Sequence, residues 1–176
     1  CIKLFLFSLF LFSLSASAQS TKEMKEIFAQ AESYYLFEEY ELANQLYILL
    51  ENPDNLNIIY KIGTCYLNIP DEKDKAIPFL EAAVKNATYD AKVGSFKEKR
   101  APLDTYYYLA RAYLINNEME KGFNTLQNFR SLARETEGKG GMENLDFVDQ
   151  QILACKIAMG FMEKPVMLSK KLLGTG

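Results

Sequence analysis

A small residue followed three positions later by a tyrosine recurs three times in this chain. The three copies are Ala31-x2-Tyr34, Gly63-x2-Tyr66 and Ala110-x2-Tyr113. A second small residue lies 12 or 13 positions after the first, and a large residue follows it four positions later. These pairs are Ala43 with Tyr47, Ala76 with Leu80, and Gly122 with Leu126. Because small residues let two helices approach closely while large residues fill the space around the contact, the pattern predicts three helical hairpins.

The spacing is typical of the tetratricopeptide repeat, a helical hairpin of about 34 residues. We expect an all-α fold for residues 19–165, a TPR-like α-solenoid of three helical hairpins plus a C-terminal capping helix. The predicted ranges are 24–53, 56–85 and 103–133 for the repeats, 86–100 for an insertion, and 143–164 for the capping helix. The insertion is predicted because 47 residues separate Gly63 from Ala110, against 32 between Ala31 and Gly63.

The first 18 residues have the layout of a secretory signal peptide. Lys3 precedes an apolar run from Leu4 to Leu14, and Ala16-Ser17-Ala18 offers small residues for cleavage before Gln19. An uncleaved anchor is the alternative, but this run is shorter than the roughly 20 residues that span a bilayer. Because the chain starts without methionine and stops without a finished element, we expect both ends to be truncated. Residues 166–176 are then a linker to a downstream domain.

Composition argues against nucleic-acid binding and against several kinds of chemistry. The net charge is −3, and removing residues 1–18 with their single Lys3 leaves 19 basic against 23 acidic residues. A mildly acidic chain without a basic stripe is a poor partner for phosphate backbones. Histidine, the commonest general base and metal ligand, is absent from the sequence. We therefore expect no catalytic residue, cofactor, metal or small-molecule substrate, and expect Cys65 and Cys155 to be buried thiols.

The first helix of each hairpin is expected to line a concave groove that binds a protein partner. The candidate groove residues are Phe28, Glu32, Tyr35, Tyr60, Thr64, Leu67, Tyr107, Arg111 and Leu114. Phe28, Tyr60 and Tyr107 are predicted to form an exposed aromatic line, because aromatic anchors are favoured at protein interfaces. Glu32 and Arg111 would place opposite charges at its two ends. The alternative is that these aromatics belong to the core, or are covered by the insertion or the terminal helix.

The small residues also predict how the hairpins respond to substitution. Gly63→Leu or Ala110→Leu is expected to overpack a hairpin and to cost about 1–3 kcal/mol. Gly122 lies within a predicted helix, where glycine is unfavourable by up to about 1 kcal/mol relative to alanine. We therefore expect Gly122→Ala to be tolerated or mildly stabilising.

Three strings resemble the N-terminal repeat region of a family of Bacteroidota envelope proteins. They are Tyr60-Lys61-Ile62-Gly63-Thr64-Cys65-Tyr66-Leu67-Asn68, Lys75-Ala76-Ile77-Pro78-Phe79-Leu80 and Lys97-Glu98-Lys99-Arg100-Ala101-Pro102-Leu103-Asp104-x-Tyr106. In that family a tetratricopeptide domain precedes a WD40-like β-propeller and an OmpA-like peptidoglycan-binding domain, and some members are linked to type IX secretion and gliding. The resemblance covers roughly residues 24–165, but this chain contains neither downstream domain, so no peptidoglycan-binding residue is carried over.

The resemblance implies a non-catalytic protein-binding scaffold or adaptor of the cell envelope. Such a protein would be periplasmic and outer-membrane-associated, would bind protein partners of the envelope, and would contact the membrane only indirectly. Two alternatives stay open. The chain could be the docking module of an exported enzyme whose catalytic domain lies beyond residue 176, or a purely structural spacer.

Overall fold

A computed structural model describes residues 20–136 and 145–163. The predicted signal peptide and the predicted linker at 166–176 lie outside the described residues. The helices are α1 (20–36), α2 (Tyr40–Leu49), α3 (Leu56–Asn68), α4 (Ala76–Ala83), α5 (Thr105–Ile115), α6 (Met119–Glu135) and α7 (Asp146–Glu163). Short 3-10 helices cover Lys73–Lys75 and Val84–Asn86, and two-residue strands cover β1 (Ala87–Thr88) and β2 (Ala101–Pro102).

Consecutive helices pack against one another along the chain. α2 contacts α3, α3 contacts α4, α4 contacts α5, α5 contacts α6, and α6 contacts α7. The core residues Phe28 and Ala31 of α1 share a cluster with Ala43 and Tyr47 of α2. The chain therefore has an all-α, helical-repeat-like fold, which confirms the predicted fold class. No helix in the described ranges combines the length and apolarity needed to cross a membrane.

The small residues of the signature lie where two helices touch. Ala31, Ala43, Ala76 and Ala110 have no exposed surface. A Cβ atom added to Gly63 would lie 2.8 Å from Leu80 Cγ on α4, closer than carbon atoms pack. The close approach of the two helices of a hairpin therefore depends on the residues that the pattern identified.

Each of the three hairpin turns contains one non-glycine residue with positive φ. These are Glu38, Asp71 and Asn117, with φ of 61°, 61° and 62°. In the first turn the N–H of Glu39 donates to the carbonyl of Tyr34, and in the third the N–H of Glu118 donates to that of Tyr113, both at 2.9 Å. A left-handed residue followed by such a bond ends a helix and satisfies its last carbonyl groups. The first and third turns thus share their geometry without a shared turn sequence, whereas in the second turn the N–H of Glu72 donates to the carbonyl of Ile69 instead.

The insertion forms a loop whose two ends lie side by side. β1 pairs in parallel with β2, with Ala87 opposite Ala101. Between them, the guanidinium of Arg100 lies 3.0 Å from Asp90 and 2.9 Å from Glu98. The sequence predicted an extended connection here and did not predict the strand pair, because two residues are too short to show a period.

The two cysteines of the described residues, Cys65 and Cys155, are free and buried, as predicted. Burial raises the pKa of the Cys65 thiol to about 12, and it also raises the pKa of Cys155. Both therefore act as small apolar residues of the core.

Candidate functional site

Helices α1, α3 and α5, the first helices of the three hairpins, contribute to one surface, which we call the first-helix face. All nine candidate groove residues belong to these three helices, but Leu114 faces Gly122 of α6 within the third hairpin, and the exposure of the nine differs. The four that are buried are Phe28, Tyr60, Thr64 and Leu67. The five that are partly exposed are Glu32, Tyr35, Tyr107, Arg111 and Leu114. Only part of the predicted groove is therefore accessible to a partner.

The predicted exposed aromatic line is wrong at Phe28 and Tyr60, and Tyr107 is only partly exposed because its ring packs against Phe147 of the terminal helix with 5.2 Å between centroids. Phe28 is 4% exposed and Tyr60 is 6% exposed. The ring of Phe96, from the insertion, packs edge-on against Phe28 with 5.7 Å between centroids. Tyr60 packs against Tyr108 of α5 at 5.9 Å and belongs to the core. The alternative stated above, core burial or cover by the insertion, is therefore correct for both residues.

Two further candidates of α3 are also buried for identifiable reasons. Thr64 donates its hydroxyl hydrogen to the carbonyl of Lys61, one turn earlier, at 2.9 Å. Leu67 is 1% exposed and shares a core cluster with Ala76 and Leu80 of α4. Neither can contact a partner on the surface, so their place in the candidate groove is corrected.

The insertion lies across α1 and α3 and covers the N-terminal part of the first-helix face. The backbone N–H of Asn57 donates to the carbonyl of Lys99, and its side-chain amide donates to the carbonyl of Val93, each at 3.1 Å. Gly94 comes so close to α1 that an added Cβ would lie 3.9 Å from a carboxylate oxygen of Glu32. Residues of the insertion therefore cover the part of α1 and α3 where the sequence predicted that a partner would bind.

Glu32 is committed to contacts within the chain. The ammonium of Lys61 lies 2.8 Å from Oε1 of Glu32, and the hydroxyl of Tyr47 donates to the same carboxylate. The ammonium also lies 4.6 Å from the centroid of the Tyr35 ring. Glu32 was predicted to place a negative charge at one end of the groove, but the buried ammonium of Lys61 neutralises that charge within the chain.

A row of tyrosines, one from each first helix, crosses the face. Tyr60 of α3 packs against Tyr108 of α5 with 5.9 Å between ring centroids, and Tyr35 of α1 and Tyr108 both lie close enough to Tyr60 to act on it electrostatically. Burial raises the pKa of Tyr35 to about 12 and raises the pKa values of the other two. All three phenols are therefore protonated at neutral pH.

Sequence reasoning missed Tyr108 because three adjacent tyrosines follow Thr105 at the start of α5. One residue changes the direction of a helical side chain by about 100°, so the run Tyr106-Tyr107-Tyr108 does not show which ring faces its neighbours. Tyr35, by contrast, was among the predicted residues, because it lies seven positions after Phe28 and so on the same side of α1.

Arg111 contacts two aromatic rings but no anionic group of the described residues. Its guanidinium carbon lies 5.9 Å from the centroid of Tyr107 and 6.0 Å from that of Tyr108. Three of the chain's four arginines lie within 4.0 Å of a carboxylate, whereas Arg111 makes no hydrogen bond or ion pair with any described residue. Guanidinium groups that stack on rings keep their hydrogen-bond donors free at the edge.

Asp104, immediately before α5, is a second charged group without a partner. Its side chain makes no capping hydrogen bond, although aspartate at this position commonly caps a helix. No described residue forms a hydrogen bond or ion pair with its carboxylate, and burial raises its pKa above the ordinary value. Asp104, Tyr107, Tyr108 and Arg111 form the part of the first-helix face that we call the α5 patch. Sequence analysis identified two of the four.

The described residues contain no group of three His, Cys, Asp or Glu side chains that could hold a metal ion. No protein-family model matches the chain, and no curated protein matches it significantly.

Proposed function

We propose that this chain is a non-catalytic docking module of the bacterial cell envelope that binds a protein partner through the α5 patch. The observation that carries the proposal is Arg111, a half-buried guanidinium that lies over two tyrosine rings and has no anion within the described residues. Arginine and tyrosine are enriched among the residues that dominate binding energy at protein interfaces. A partner that supplies a carboxylate would complete this contact.

The envelope location is supported by the sequence. Residues 1–18 have the layout of a signal peptide, and residues 24–165 resemble the repeat region of envelope proteins that carry an OmpA-like domain. On this proposal the protein is periplasmic and outer-membrane-associated, and it reaches the membrane only through its partners. N-terminal sequencing of protein from the envelope fraction tests the location: a start at Gln19 supports export with cleavage, and a retained apolar run contradicts it.

Site-specific photocrosslinking tests the docking. We expect p-benzoylphenylalanine in place of Tyr107 to give one discrete adduct in intact cells, and expect Arg111→Glu to abolish that adduct. The matched control places the same crosslinker at Leu49, which is 69% exposed on α2 and outside the first-helix face. Adducts at Leu49 but not at Tyr107 would contradict docking at the α5 patch. Adducts at neither position would favour a structural spacer.

A further inference from the structure

The α5 patch carries two opposite charges at a defined separation. Asp104 and Arg111 are seven residues apart, so they lie on the same side of α5, about 10 Å from each other along its axis. Tyr108 lies between them on that side. The two charges are too far apart to neutralise each other, and neither has an oppositely charged partner among the described residues.

An extended peptide matches this separation. Its backbone advances about 3.3 Å per residue, so two side chains three positions apart also lie about 10 Å from each other. An acidic side chain can form paired hydrogen bonds with the guanidinium of Arg111, while a basic side chain faces the carboxylate of Asp104. The exposed parts of the rings of Tyr107 and Tyr108, which otherwise pack against Phe147 and Tyr60, offer apolar surface to the residues between them.

We infer that the α5 patch binds an extended segment of a partner protein in which an acidic and a basic residue are separated by two others. The inference rests on the proposed docking function and adds the chemistry of the partner. A uniformly acidic segment is disfavoured because it would place an anion beside Asp104, and a uniformly basic segment because it would place a cation beside Arg111. The pair of charges thus selects by repulsion as well as by attraction.

The test is a selection of phage-displayed random octapeptides on the purified, immobilised chain. We expect the selected peptides to carry Asp or Glu and Lys or Arg with two residues between them. On Asp104→Asn the preference for the basic residue should disappear while the acidic preference remains, and on Arg111→Gln the reverse should hold. Each substitution should weaken binding of the wild-type consensus peptide by about three- to tenfold.

Two controls make the result specific. Arg134→Gln removes an exposed arginine that lies outside the patch and should leave both preferences unchanged. Thermal melts of Asp104→Asn and Arg111→Gln should stay within a few degrees of the wild type, because neither side chain has an ion pair or hydrogen bond to lose within the described residues and Arg111 loses only its contact with two partly exposed rings.

Peptides that bind without a charge requirement, or that bind both variants equally, would overturn this inference and leave the docking function standing. Enrichment of uniformly acidic peptides would also overturn it. If no peptide is enriched, the inference fails, and the crosslinking at Tyr107 decides the docking function separately.

Discussion

Lys61 of α3 and Glu32 of α1 form an ion pair that joins the first two hairpins. The ammonium lies 2.8 Å from Glu32 Oε1, and 4% of the Lys61 side chain is exposed against 25% of the Glu32 side chain. Tyr47 of α2 donates a hydrogen bond to the same carboxylate. Because Lys61 and Glu32 differ in burial and in their other contacts, substitution of one should not change the free energy of unfolding by the same amount as substitution of the other.

We expect Glu32→Gln to destabilise the protein by about 3 kcal/mol, since it leaves a buried ammonium without an anion. Lys61→Met should cost less, because Glu32 keeps the hydrogen bond from Tyr47 and some contact with water. Urea unfolding at pH 7 measures both. The control is Glu26→Gln, whose ion pair with Lys22 is 70–81% exposed and should contribute less than about 1 kcal/mol. A larger loss for Lys61→Met would contradict this account.

Gly122→Ala should destabilise the protein, which reverses the expectation from sequence. An added Cβ would lie 2.6 Å from Cγ of Leu114 and 3.2 Å from the backbone oxygen of Ala110. Since the backbone on one side cannot move away, we expect a loss of about 1–3 kcal/mol in the free energy of unfolding. Leu114→Ala in the same chain should recover part of that loss, by removing the side chain that the new methyl group meets.

The matched control for this substitution is Gly160→Ala in α7. No atom lies within 4 Å of the position that its Cβ would take, and Gly160 is exposed. The same chemical change should therefore stabilise the protein by up to about 1 kcal/mol through helix propensity alone. Denaturant unfolding of the two variants should show opposite signs. A gain in stability at Gly122 would mean that the α5–α6 contact is looser than described.

The hairpins could be predicted because their signals are local. Gly63 meets Leu80, 17 positions later, and Gly122 meets Leu114, 8 positions earlier, so each close contact lies within a single hairpin. The cover over Phe28 could not be predicted, since it comes from Phe96, which lies 68 positions further along an insertion with no periodicity. The pairing of Glu32 with Lys61 likewise depends on how two hairpins stack, which no spacing within one hairpin determines.

Glu38→Gly should stabilise the first hairpin turn. Glu38 has φ of 61°, a region that costs a side-chain-bearing residue roughly 1–2 kcal/mol and that glycine adopts freely. Part of this gain is offset because glycine has more freedom in the unfolded chain. We expect a net gain of about 0.5 kcal/mol in thermal or urea unfolding.

Asn117→Gly, in the third hairpin turn, is the comparison for Glu38→Gly, because asparagine tolerates positive φ better than glutamate does. Its φ of 62° matches that of Glu38, so the two sites differ in residue type and hardly in backbone geometry. The gain at Asn117 should be smaller. Equal gains in stability at the two positions would show that the cost of the positive φ does not depend on which side chain the residue carries.

Acid should weaken the insertion through Glu98. Its carboxylate accepts hydrogen bonds from the guanidinium of Arg100 and from the backbone N–H groups of Lys92, Lys99 and Arg100. These contacts hold the pKa of Glu98 well below its ordinary value of 4.5. A carboxyl group whose pKa is lowered by folding stabilises the protein above its unfolded pKa, and that contribution is lost as the pH falls towards the folded value.

We therefore expect Glu98→Gln to be less stable than the wild type at pH 7, and the two free energies of unfolding to converge as the pH falls from 4.5 to 3. Urea unfolding at pH 7, 5, 4 and 3 measures both curves. Glu51→Gln is the matched control, since Glu51 is exposed and its side chain makes no hydrogen bond or ion pair with a described residue. Its curve should run parallel to the wild type over the whole range. If the Glu98→Gln curve also runs parallel to the wild type, the carboxylate contributes nothing that protonation removes, and the insertion is held by Phe96 and Asn57 instead.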